Sequence, residues 1–319
     1  MSVEGLLNIK KAIANLSSQG VREQSERPLH IALYAANAER YAKIENYLLH
    51  GLSDARRGES LQALVRGPLP VHAQQCDLAI YDESVIAPAR ALVFEERRPE
   101  RFVRQVLDHR LDLGVALARD FSAFRKPFIE RVISKTSRDN TLFSLATALP
   151  DIVPSLIELP WSLAEFASDS AFLTMNQIHM AFLIAGASDR PVGYAFQKSE
   201  VGAVIAGAFG WRAIARELIG KIPFGGGLIP KAAIAYAGTK LVGLSLDRFY
   251  GIGYHFTRQE REAIYVDALR QGKKVAGHIL KYVRPDIAQK LEGGRASRTA
   301  SRYDSGSGPI IDTQAERAR

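Results

Sequence analysis

Ser170 to Ser188, SAFLTMNQIHMAFLIAGAS, is nineteen residues without a formal charge, and no other stretch limits the fold so tightly. A run of this length reaches the lower edge of what a bilayer requires, so it either spans a membrane or is enclosed by other helices. Asn176, Gln177 and His179 stand at its middle, where polar groups in lipid are costly unless paired. A helix buried in a bundle satisfies the same residues at lower cost, with Asn176 and Gln177 hydrogen-bonded to a neighbour, and that is the expectation. Met175, Met180 and the Phe residues read as core filling.

A neighbour for such a helix lies further on. Ile222 to Asp247, IPFGGGLIPKAAIAYAGTKLVGLSLD, opens with Pro223 and the run Gly225, Gly226, Gly227, where the chain is expected to turn. Pro230 suits the first turn of a helix predicted to run to about Leu246. Ala235, Thr239 and Gly243 fall four apart and form one narrow face that admits a close partner helix. A glycine cluster ahead of a helix also invites a phosphate-binding reading, which the spacing rejects. Counting from Gly225, Pro230 stands where a P-loop has its second glycine and a dinucleotide fingerprint its third, and Ala232 follows Lys231 in place of Ser or Thr.

Upstream, Leu29 to Tyr34 is a short apolar run followed by AANAERYAKIENYLL, with helical periodicity through Tyr41, Ile44, Tyr47 and Leu48. A second strand is predicted over Leu78 to Tyr81, bracketed by Asp77 and Asp82. Strand, turn, helix is how a nucleotide-binding half-domain begins. The turn Ala35, Ala36, Asn37 carries neither the glycines nor the lysine that cradle phosphate. In a GTPase an acid such as Asp82 helps hold magnesium; here Asp77 and Asp82 read as turn and strand-end acids. The residues between, GLSDARRGESLQALVRGPLP, read as a surface connection with one short helix. Asn140-Thr141 lacks the Lys and Asp of a guanine-reading loop.

From Pro99 the pattern is helical, through Phe102, Val106, Leu107 and Leu111, then Phe128, Val132, Ile133, Leu142 and Leu145, until Pro150, Pro154 and Pro160 break it. Thr257 with Glu260 forms a capping box that opens a closing helix over Arg258 to Val283. The fold class is therefore α+β, mainly α. An amphipathic helix is expected over residues 1–28, with Val3, Leu6, Ile13 and Leu16 near one side, docked on a partner or on the chain's own core. A small α/β unit follows over 29–112, then an apolar helical bundle over 113–283, and a Gly-, Ser- and charge-rich tail over 284–319 that is expected to be disordered.

Charge placement narrows the partners. Residues 29–119 balance twelve basic against twelve acidic side chains, and residues 150–257 balance eight against eight. From Arg258 onward thirteen basic residues face eight acidic ones, so the excess belongs to the C-terminal end, which argues against a nucleic-acid-binding face on the core. Arg270, Lys273, Lys274, Lys281 and Arg284 are the basic surface candidates. They read as a solvated face or, more sharply, as a patch drawn to anionic lipid or an acidic partner. The opening residues do not read as a secretory signal, because Glu4, Lys10 and Lys11 interrupt any apolar core. Cys76 is the single cysteine, which leaves no internal disulfide and fits a reducing cytoplasm. The seven His lack paired ligand spacing, and no Ser or Cys stands in a nucleophile elbow, so no catalytic residue, metal or cofactor is expected.

Together, ALARDFSAFRKPFIERVISKTSRDNTLFSLATALPDIVP, Asp169 ahead of LTMNQIHMAFLIAGAS, KIPFGGGLIPKAAIAYAGTKLVG, RFYGIG and the capped basic helix resemble the YcjF-like family of uncharacterised helical domains. The resemblance covers about Leu113 to Lys274 and is most specific at Asn176-Gln177 and Ile222 to Gly243. It implies a helical domain that accompanies an Era-like GTPase domain or a separate P-loop partner, in a family with inner-membrane members. By position, the α/β unit resembles a degenerate GTPase-like domain. The expectation is a non-catalytic regulatory or adaptor protein, cytoplasmic and associated with the inner membrane. The alternative is a small-molecule or lipid-binding bundle with Asn176, Gln177 and His179 lining a pocket.

Overall fold

A computed structural model describes residues 18–67, 76–148, 169–204, 227–283 and 285. Expectations for residues 1–17, for Gly225 and Gly226, for the breaks at Pro150, Pro154 and Pro160, and for Arg284 and the tail lie outside the described residues.

The chain is α+β and mainly α. After helix α1 (Ser18–Glu26), strand β1 (Ile31–Tyr34) leads through α2 (Ala38–Leu49) and α3 (Asp54–Leu61) to β2 (Leu64–Arg66), and β3 (Leu78–Asp82) and β4 (Leu92–Phe94) complete a sheet. All pairings are parallel, in the order β2-β1-β3-β4. Ile31 lies opposite Leu64 on one side and Leu78 on the other, and Ile80 lies opposite Leu92. All four residues of β1 are buried, as the middle strand of a parallel sheet covered on both faces must be.

The two strands expected from sequence are thus the central neighbours, β1 and β3. The segment read as a surface connection does hold one short helix, α3, but it also holds the edge strand β2. That strand has three residues and leaves Val65 48% exposed, so neither length nor alternation marks it in the sequence.

The elements described after β4 are helical: α4 (Pro99–His109), a 3-10 turn at Leu111–Leu113, α5 (Gly114–Asp120), α6 (Ser122–Ala146), α7 (Asp169–Ala187), α8 (Leu228–Ile252) and α9 (Arg258–Val283). In α4, Phe102, Val103, Val106 and Leu107 are buried, the spacing of one apolar helix face. Cross-contacts give the helix directions. Asn140 meets Thr239 and Ile133 lies against Gly243, so α8 runs antiparallel to α6. Arg125 at the start of α6 binds the Ala187 carbonyl at the end of α7, so these two are also antiparallel. Gly272 lies against Ala233 while Arg248 pairs with Glu260 at 3.2 Å, which sets α9 antiparallel to α8.

Helix α8 extends to Ile252, six residues beyond the predicted end near Leu246. The extension carries Tyr250 into the core, and the helix stops only where Gly253 adopts φ 77°, a left-handed conformation that suits glycine. At its start Gly227 is the N-cap with φ −65°, a value any residue can adopt, so the conformational freedom of glycine is not used at that position. The capping box at the start of α9 is formed: the Thr257 backbone N–H donates to Glu260 Oε2 at 2.8 Å and the Glu260 N–H to Thr257 Oγ1 at 3.3 Å.

One hydrophobic cluster runs from Leu33, Ile80 and Phe94 in the sheet, through Phe102, Phe124 and Phe128, to Ile184 and Leu246 in the bundle. Ring contacts mark its course, with Phe94 at 5.8 Å from Phe102 and Phe102 at 6.2 Å from Phe124. A polar clasp lies over the same junction. Arg56 of α3 reaches Asp120 at 3.2 Å and Asp189 at 3.0 Å, and Arg119 binds Asp189 at 3.0 Å. Helix α1 docks on the chain's own core, with Val21 beside Ile178 and Phe182.

Candidate functional site

The charge-free helix α7 is enclosed, as its polar residues demand. Asn176 Nδ2 donates to Asn140 Oδ1 at 2.8 Å, Asn140 Nδ2 donates to Thr239 Oγ1 at 2.8 Å, and Gln177 Nε2 donates to the same hydroxyl at 3.1 Å. Asn140, Thr239 and Gln177 are buried and Asn176 is half-buried. One four-residue network therefore ties α6, α7 and α8 together in the middle of the bundle. Groups of this kind are stable in an interior only when paired, and each amide here is committed to a neighbouring helix. His179, two residues on, lies at the surface. Among the described residues no helix is long and apolar enough to cross a membrane.

The seam expected from Ala235, Thr239 and Gly243 is present at two of the three positions. A Cβ on Gly243 would lie 2.6 Å from Ile133 Cγ1, so α6 and α8 touch nearly backbone to side chain. Ala235 is only half-buried. A second close approach, absent from the sequence reading, lies on another side of α8: a Cβ on Gly272 of α9 would stand 2.8 Å from the Ala233 carbonyl oxygen and 2.9 Å from Tyr236 Cβ. Of the remaining packing candidates, Asp169 is the first residue of α7 and Gly227 caps α8. Asn140 was legible only as a failed guanine-loop residue; its role as the middle of the network depends on contacts 36 and 99 residues away in sequence.

The other place where chemistry could occur is the carboxyl end of the sheet. The chain leaves β1 toward β2 on one side and β3 on the other, and ligands of open parallel sheets settle in the crevice this reversal creates. Here Arg40, in the first turn of α2, fills that position. Its Nε donates to Asp82 Oδ2 at 2.7 Å, Nη2 to Glu83 Oε1 at 2.8 Å and Nη1 to Glu96 Oε2 at 3.0 Å. Asp82 is 1% exposed, and its Oδ2 also accepts the Ser84 backbone N–H at 2.9 Å. Asn37 is the N-cap, its side chain accepting the Arg40 N–H at 3.0 Å, and Ser84 Oγ accepts the Ala36 N–H at 3.3 Å. The helix terminus and strand-end acid that would serve a magnesium phosphate are thus turned on one another. No group of three or more His, Cys, Asp or Glu among the described residues could hold a metal ion.

Arg270, Lys273, Lys274 and Lys281 are all exposed on α9. Ala268, Gly272, Ala276 and Leu280 are buried on the opposite side against the bundle, so the four cations share the solvent side of the helix. Arg270 is shared with Asp267 at 3.2 Å. No protein-family model, curated protein or solved structure matches this chain.

Proposed function

We propose that this chain acts by contact and not by turnover, as a regulatory or adaptor protein whose helical bundle engages a GTPase-type or other P-loop partner. The observation that carries the reading is the occupied crevice: the Arg40 guanidinium is bonded to Asp82, Glu83 and Glu96 where a sheet of this topology would take a ligand. The turn before it, Ala35, Ala36, Asn37, offers no glycine cradle and no lysine. The resemblance of residues 113–274 to a domain that accompanies GTPases supplies the class of partner. The exposed basic side of α9 supports a site of action at an anionic cytoplasmic membrane surface.

The test is affinity capture from native lysate with the tagged full-length chain, in magnesium with either a non-hydrolysable GTP analogue or GDP. The expected result is enrichment of a P-loop protein that depends on which nucleotide is present. Equal recovery of the same proteins on an Arg270→Glu, Lys274→Glu control and on the native chain, with no P-loop protein among them, would count against the reading. Membrane association is tested by fractionation, in which the chain is expected to leave the membrane pellet when salt is raised.

A further inference from the structure

A cavity of about 320 Å³ lies on the flank of the bundle between residues 199–204, the second half of α8 and the start of α9. Its walls are apolar: Val204, Leu241, Leu246, Phe249 and Phe256. Three charged or titratable side chains border it, Glu200, His255 and Arg261, and they are not equivalent. The Glu200 carboxylate already accepts the Ser199 hydroxyl at 2.6 Å. His255 stacks flat on Phe249, with ring centres 4.5 Å apart and planes within 4°, so its ring extends the apolar wall. Arg261 has no carboxylate within ion-pair distance among the described residues, although Arg248 and Arg258, both earlier in the chain, have Glu260 and Glu262.

An apolar chamber with one unengaged guanidinium at its border is built for a ligand with an apolar body and a single anionic end. We infer that this cavity binds an amphipathic carboxylate, its chain against Leu241, Leu246 and Phe249 and its carboxylate on Arg261. Size sets one limit, since the volume lies at the small end of ligand pockets and admits a medium-length chain but not a two-tailed lipid. Charge sets the other. An amine would be repelled by Arg261, the border group with no side-chain partner among the described residues, whereas Glu200 already accepts the Ser199 hydroxyl. The site is separate from the crevice at Asp82 and does not depend on the contact role proposed above.

The experiment is calorimetric titration of the full-length chain with decanoate below its micellar range, with decanol as the uncharged comparison. Saturable binding at one site is expected. Arg261→Gln is expected to weaken decanoate at least about tenfold and to leave decanol unchanged, the loss being that of one charge-assisted hydrogen bond. Ala203→Phe, which places a ring in the cavity from an exposed position, is expected to abolish binding of both while the circular-dichroism melt is retained. Heat that never saturates, equal decanoate affinity in the native chain and Arg261→Gln, or full binding by a folded Ala203→Phe protein would each overturn the assignment.

Discussion

Thr239 shows how much can rest on one hydroxyl. It accepts hydrogen bonds from Asn140 and Gln177 inside a seam from which water is excluded, so Thr239→Val keeps the shape and strands two donors. A buried donor left unpaired costs about 1–3 kcal/mol, so urea unfolding should show a loss of that order for Thr239→Val and a smaller one for Thr239→Ser. Arg40 sets up a similar asymmetry. Arg40→Gln leaves Asp82, 1% exposed, without its cation, and is expected to lower the urea midpoint; Arg40→Gln with Asp82→Asn should recover much of this. An Asp82→Asn shift of the same size in the native and the Arg40→Gln backgrounds would show that the pair is not coupled. Asp247 supplies a pH dependence: burial, and then Glu130 across on α6, raise its pKa against the opposing effect of Lys126. The folded state therefore holds this proton more tightly than the unfolded state, and the carboxylate destabilises the fold once the pH rises through the raised value. Asp247→Asn should raise the unfolding midpoint at pH 7, with the gain disappearing as the pH falls below the ordinary carboxylate range. Of these residues, Thr239 was legible because it falls four from Gly243 on a small-residue face. Arg40 was not, because nothing in a lone arginine on an amphipathic helix announces three carboxylates brought to it from 42, 43 and 56 positions away.

Among the elements, α8 is the one the others are fitted around, and glycine decides how closely. Gly243, Gly272 and Gly277 all lie within helices, where replacement by Ala gains about 1 kcal/mol of helix propensity. What differs is the space each new methyl would meet. At Gly277 it meets nothing within 4 Å, so Gly277→Ala should stabilise. At Gly243 it meets the Ile133 side chain at 2.6 Å, and overpacking of about 1–3 kcal/mol should outweigh the propensity gain, with relief when Ile133→Ala is added. At Gly272 the obstacle is the Ala233 carbonyl oxygen at 2.8 Å, part of the backbone, so Gly272→Ala should be the most destabilising of the three. Chemical denaturation of the series gives the order directly, and an order with Gly277→Ala lowest would contradict the packing described. The elements themselves were largely readable. A charge-free stretch with central amides favoured an enclosed helix over a membrane span, and Thr257 with Glu260 announced α9. Two limits were physical. Strand β2 is too short and too exposed to carry a pattern, and the end of α8 was set by Gly253 and by the burial of Tyr250, a tertiary contact.

Taken whole, the molecule places a four-stranded parallel sheet and a helical bundle on one hydrophobic cluster, with Arg56, Arg119, Asp120 and Asp189 closing the junction from outside. The sheet has the topology of a ligand-binding half-domain, yet its crevice holds the chain's own arginine. Asn140 of α6 joins this junction to α7 and α8 through its hydrogen bonds with Asn176 and Thr239. The contact role we propose rests on that occupied crevice. The most direct measurement is nucleoside triphosphate hydrolysis by the purified full-length chain in magnesium, alongside Asp82→Asn and Lys231→Ala variants. A rate no higher than the buffer blank is expected for all three proteins. A rate that is present in the native chain and vanishes on replacing Asp82 or Lys231 would contradict it.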